Sequence, residues 1–213
     1  MLRISSIEKL IGTFIAFISC MLIVRMIYSG SNMYLFLLWN IFLACIPFEI
    51  SALLVKRKRN KWAEAVFFSA WLLFFPNALY ILTDLVHLEV KTMVPLWFDA
   101  ILLFASASTG LIMAFTSLYK IETFLNSKVS SIVANGIILA CLFLGSFGVY
   151  LGRFQRWNSW DIINEPFALL TSIAKLFIFP THYTHAWAFT FVFAGFIYLL
   201  FYSVRHLGLK NKG

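Results

Sequence analysis

Apolar residues in this chain neither alternate nor mark out one clean helical stripe; they run. Six stretches, at about residues 10–28, 33–55, 62–83, 95–119, 129–151 and 183–204, each approach the roughly 20 consecutive apolar residues that a helix needs to cross a hydrocarbon core. Polar residues gather in the short connections between them. A seventh apolar stretch, "PFALLTSIAKLFIFP", is bracketed by Pro166 and Pro180. Its residues 167–179 make a helix of about 20 Å at 1.5 Å per residue, too short to cross, and are expected to be interfacial or re-entrant. The first stretch is read as a retained span, because its apolar run is too long for a signal peptide and no small-residue cleavage site follows. The pattern predicts an all-α integral membrane bundle of six spans plus one short helix, a single domain over residues 1–213.

Composition agrees with that solvent. Of 213 residues, 62% are hydrophobic and 12% charged, against about 25% charged in a soluble domain. In water such a chain would expose large apolar patches. The net charge of +8 would suggest nucleic acid in a soluble protein, but most basic residues lie in the connections, where they set topology. No basic face with interleaved exposed aromatics stands apart, so nucleic acid is not an expected partner. With the N-terminus inside, about twelve basic residues fall on the inner side and about four, Lys91, Arg153, Arg156 and Lys175, on the outer side. Both termini are therefore expected to be cytoplasmic, with "KRKRNK" at residues 56–61 as the anchor of that orientation. Cys20, Cys45 and Cys141 each fall in an apolar stretch and read as buried small residues, not as a disulfide or zinc framework.

The greasy pattern breaks at one level. "FFPNALYILTDLVHL" ends the third span. At 100° per residue Asn77, Tyr80, Asp84 and His87 share a stripe about 80° wide. Pro76 removes a backbone donor and frees the Leu72 carbonyl, so a kink is expected there, with Asn77 helping to satisfy it. "PLWFDA" puts Asp99 about one turn into span four. "YLGRFQRWNSWD" carries Arg153, Arg156 and Asp161 out of span five. "THYTHAW" opens span six with His182 and His185, three apart on one helical face. On the predicted topology all four segments reach the extracytoplasmic end. Ionisable groups near a bilayer core cost several kcal/mol unless paired or wet, which makes them functional candidates. Trp and Tyr there also suit an interfacial belt, and Arg153 and Arg156 could simply tie helix ends by pairing with Asp161, Asp84 or Asp99. Glu49 is read as snorkelling toward the basic anchor. The spacings Gly148-x-x-x-Gly152 and Ser106-x-x-x-Gly110 predict close helix approach.

Three kinds of chemistry fit this set. Asp84, His87, His182 and His185, with Asp99, could supply nitrogen and oxygen ligands to a divalent metal such as zinc, whose bound water would hydrolyse at the head-group level. Without metal, His87 or His182 could act as a general base oriented by Asp84 or Asp99. In either version Arg153 and Arg156 would clamp an anionic group, with Asp161 beside them and Asn77 and Tyr80 as the wall beneath. A small transporter is the second class, built on the Pro76–Asn77 break. A non-catalytic accessory or assembly protein, whose rim meets lipid or an extracytoplasmic partner, is the third. Membrane lipids are the expected partners, and an anionic lipid head group is the favoured ligand.

The blocks "WLLFFPNALYILTDLVHL", "WFDAILLFASASTGL" and "LGRFQRWNSWDI", in this order and spacing, resemble a family of small bacterial multi-pass membrane proteins, the domain of unknown function 1361. The resemblance runs from about Trp71 to the last span. The family pattern carries Pro at the position of Leu79, so the third helix here is expected to be less broken than in such relatives. The resemblance implies a six-span bundle in a bacterial plasma membrane and implies no reaction.

Overall fold

The computed structural model describes residues 4–56, 59–88 and 93–210. Arg3, Arg57, Lys58, Lys91, Lys212 and the side chain of Lys210, which entered the charge asymmetry, lie outside the described residues. Every described element is helical: α1 Ile4–Ser29, α2 Phe36–Lys56, α3 Lys61–Thr83, a 3₁₀ turn Asp84–His87, α4 Leu96–Asn126, α5 Ser131–Gln155, α6 Asp161–Asn164, α7 Pro166–Ile178 and α8 Thr184–Lys210. Six helices (α1, α2, α3 with its 3₁₀ turn, α4, α5 and α8) are long and apolar enough to cross a membrane. The protein is an all-α membrane helical bundle.

Helix α4 runs seven residues past its expected end at 119. "TSLYKIETFLN" keeps Leu118, Ile121 and Leu125 on the buried side, so helical periodicity continues where unbroken hydropathy stops. Pro76 and Pro47 both lie inside helices. A membrane helix tolerates them where neighbouring groups satisfy the freed backbone. Helix α3 continues through Pro76 and Leu79 to Thr83.

The chain divides into two compact units, Met1–Phe124 and Leu125–Gly213. In the first, α2 packs on α3 around Trp71, Phe75 and Leu79 of α3 and Leu37 and Ala44 of α2, all fully buried. Trp71 is the largest of these, and its indole N–H needs an acceptor when buried. It donates to Ser117 Oγ of α4 at 2.5 Å, and Ser117 reaches the Pro47 carbonyl of α2 at 3.4 Å. Three helices are thus joined through one buried hydroxyl. Gly110 lets α4 approach α3: a Cβ there would meet the Ala78 carbonyl oxygen at 2.7 Å and Ile81 at 3.1 Å.

In the second unit α5 packs on α8. Phe147, Tyr150, Leu176 and Ala186 form its buried cluster, with Ile173, Trp187 and Phe189 against it. Trp187 stacks on Phe147 at 5.8 Å and donates its indole N–H to the Leu176 carbonyl at 3.2 Å. The short α7 is held by one face in this way, so α5, α7 and α8 form one packed layer.

The close approach at Gly110 generates a stability prediction. Gly110→Ala drives a methyl group against a backbone oxygen that cannot rotate away, and should cost about 1–3 kcal/mol. Gly12→Ala, with nothing within 4 Å, should cost nothing. The check is the denaturation midpoint of the purified variants in one detergent.

Candidate functional site

Helix α1 ends at Gly30, whose positive φ of 64° places it in the left-handed region that closes a helix cheaply. Arg25 sits just over one turn before that end. Asp99 sits in the first turn of α4, where a carboxylate also meets the positive end of the helix dipole. The two form a bidentate pair: Arg25 Nε to Asp99 Oδ1 at 2.8 Å and Nη2 to Oδ2 at 3.0 Å. Arg25 is 2% exposed and Asp99 0%. The guanidinium lies 4.3 Å over the Tyr34 ring, and Nη2 also reaches Met33 Sδ at 3.8 Å.

The network continues through Tyr34. Its hydroxyl donates to the His87 carbonyl at 2.8 Å, and the His87 ring stands edge-on to Phe36 at 5.3 Å. His87 closes the 3₁₀ turn that Asp84 opens. Residues i and i+3 eclipse in such a turn, so the Asp84-x-x-His87 spacing keeps both on one side. Asp84 is 1% exposed, and its Oδ2 accepts from Asn40 Nδ2 at 2.7 Å. The end of α1, the start of α2, the end of α3 and the start of α4 therefore meet at one end of the first unit. Just below, the Asn77 amide donates to the Phe74 carbonyl at 3.1 Å and the Thr83 hydroxyl to the Tyr80 carbonyl at 2.6 Å. Asn77 and Tyr80 are both half-buried.

The partner seen for Asp99 is one that the sequence did not single out. It is Arg25, a basic residue inside span one that counts toward neither side of the charge asymmetry. The signal was present: a lone arginine in an apolar span demands a buried acid. Asn40, a lone amide in span two, is the other residue not singled out.

In the second unit, Arg153 lies in the last turn of α5, where a cation complements the helix dipole. Arg156 closes that helix with φ 61°, a left-handed conformation that costs a non-glycine residue about 1–2 kcal/mol. The Trp157 N–H returns to the Leu151 carbonyl at 3.1 Å. The Asp161 carboxylate is not an arginine's partner among the described residues. It accepts from the backbone N–H of Asn158 at 2.6 Å and from Asn158 Nδ2 at 3.3 Å, fixing the turn that starts α6. His182 and His185 do not share a helical face. Helix α8 begins at Thr184, so His185 is in its first turn while His182 is in the preceding turn, with its N–H on the Phe179 carbonyl at 3.0 Å. His182, His185 and Arg156 are exposed; Arg153 and Asp161 are half-buried.

Among the described residues no group of three or more His, Cys, Asp or Glu is placed to hold a metal ion, so the zinc expectation gains no geometric support. The Arg25–Asp99 pair makes a separate prediction. Arg25→Met strands a buried carboxylate and should cost about 3–5 kcal/mol. The double variant Arg25→Met/Asp99→Leu should recover most of that loss. Equilibrium unfolding of the three proteins in one detergent measures both values.

Comparison with known proteins places these elements in a family. The family model described as "Protein of unknown function (DUF1361)" matches residues 39–200, a range that runs from the start of α2 into α8. No curated protein and no solved structure matches the chain. With most of its length matched, this all-α membrane protein belongs to the domain of unknown function 1361 family.

Proposed function

We propose that the protein binds an anionic lipid head group at the extracytoplasmic surface of a bacterial plasma membrane, through a basic rim on its second unit. The observation that carries this reading is the bare outer face of α7. Leu169 and Leu176 are buried against the unit, yet apolar side chains stand on the far side too: Phe167 is 84% exposed, and Leu170 and Ile178 are exposed as well. A helix with apolar side chains on two faces and a narrow polar arc at Thr171, Ser172 and Lys175 suits an interface, where one side meets acyl chains and the other water. At 13 residues it is too short to span, so it fits the boundary between acyl chains and head groups.

The same unit carries cationic groups at its helix ends and on α7. Arg153 and Arg156 end α5, and Lys175 is exposed on α7 itself. A guanidinium matches two phosphate oxygens at once. Arg156, held in a left-handed conformation by the turn behind it, is aimed by the backbone and not by its own preference; such strain tends to gather at functional positions. Exposed His182 and His185 add polar contacts to the same unit.

The test uses the purified protein in nanodiscs of phosphatidylethanolamine and phosphatidylglycerol, with retained anionic lipid counted by native mass spectrometry. Arg153→Ala/Arg156→Gly removes two cations and relaxes the left-handed residue. Retention should weaken about 10- to 30-fold with no fall in thermal midpoint. Unchanged retention removes the reading.

A second reading, passage of a small ion or solute through the first unit, is favoured by the burial of Asp84, Asp99 and Arg25 inside membrane-spanning helices. Asp84→Asn preserves the bond from Asn40 and removes the charge. If the protein carries solute, flux into liposomes should fall at least tenfold in this variant, the scale set by losing one buried charged contact.

A further inference from the structure

Helix α4 carries a second buried charge at its other end. Lys120 lies about 32 Å along the axis from Asp99 at 1.5 Å per residue, close to the roughly 30 Å thickness of a hydrocarbon core. If the Arg25–Asp99 pair marks one head-group level of the first unit, Lys120 marks the other. It is 6% exposed. Its ammonium rests 3.8 Å over the Phe48 ring of α2, and among the described residues none of its three N–H donors finds an acceptor. A ring face partly offsets the charge but leaves every hydrogen bond unmade.

The charged groups that face it are Glu49 and Lys56 of α2 and Glu8 of α1. All three are exposed. Arg59, in the connection after α2, is folded back, donating to the Leu53 carbonyl and stacking 4.2 Å over Phe67. The end of the unit is thus a mixed surface with one buried, unsatisfied cation beneath it. Phosphate is the acceptor found at that depth in a bilayer.

We propose that Lys120 holds a phosphate oxygen of an anionic phospholipid at the end of the first unit opposite the Arg25–Asp99 pair. The flexible four-carbon stem lets the ammonium exchange the Phe48 ring for the phosphate, a charge-assisted bond in place of a cation–π contact. Lys56 adds a second positive charge. Glu8 and Glu49 oppose a bare anion and accept from hydroxyls, so the site favours a head group that joins a phosphodiester to free hydroxyls, as phosphatidylglycerol does. This site shares no residue with the rim on the second unit.

Native mass spectrometry after delipidation from nanodiscs tests it. Wild-type protein should retain one phosphatidylglycerol more than Lys120→Met, with Lys120→Arg keeping it and Arg153→Ala/Arg156→Gly leaving it in place. Lys120→Gln replaces the Met variant if that one does not fold. Equal retention in wild-type and charge-removed protein overturns the proposal. So does wild-type protein that keeps no more phosphatidylglycerol than phosphatidylcholine. Displacement of the retained lipid by millimolar inorganic phosphate also overturns it, because the site would then be one for free phosphate.

Discussion

A hydrocarbon interior offers no water to a charge, and the bidentate Arg25–Asp99 pair is the protein's clearest answer to that constraint. Neither residue can be placed alone: an isolated buried ion costs far more than its pairing returns. The pair therefore couples the end of α1 to the start of α4. Tyr34, stacked on the guanidinium and bonded to the His87 carbonyl, extends the tie to the end of α3. The Asn40–Asp84 bond brings in α2. One polar knot fixes four helix ends, and the candidate groups Asp84, His87 and Asp99 are where they are because of it.

The same rule shapes the rest of the first unit. Buried hydroxyls and the indole of Trp71 are each bonded, mostly to a helix's own carbonyl or through Ser117 to a neighbouring helix. Without a hydrophobic drive between helices in lipid, such bonds and the close contact at Gly110 supply the specificity of packing. Lys120 differs from these hydroxyls: among the described residues its ammonium has no hydrogen-bond acceptor, and its contact is the Phe48 ring. A buried ammonium with no acceptor is a natural place to look for a ligand.

The second unit uses aromatic packing where the first uses a salt bridge. Phe147, Trp187 and Phe177 meet ring to ring and seat α7 by one face, leaving its other apolar face bare. Arg156 and Lys175 of this unit are exposed and Arg153 is half-buried. The two units thus present two kinds of polar group: a buried, ion-paired knot in the first, and more exposed basic residues in the second.

The sequence alone determined the six apolar helices, the short seventh one and the places along the chain where polar residues break the apolar pattern. Each follows from local quantities: run length against bilayer thickness, and the price of a charge in hydrocarbon. It also singled out Asp84, His87 and Asp99, because acids and histidines stand out in such a chain. It did not reveal that Asp99 belongs to Arg25, that Asn40 serves Asp84, or that Asp161 serves Asn158. Pairing depends on which helix ends meet, and charge patterns along a chain carry no distance between its segments. Nor could helical periodicity show that His182 precedes α8, because the start of a helix is decided by backbone bonding in the turn before it. Only the tertiary structure could choose among partners of like chemistry, since the energy of a buried pair exists only at contact.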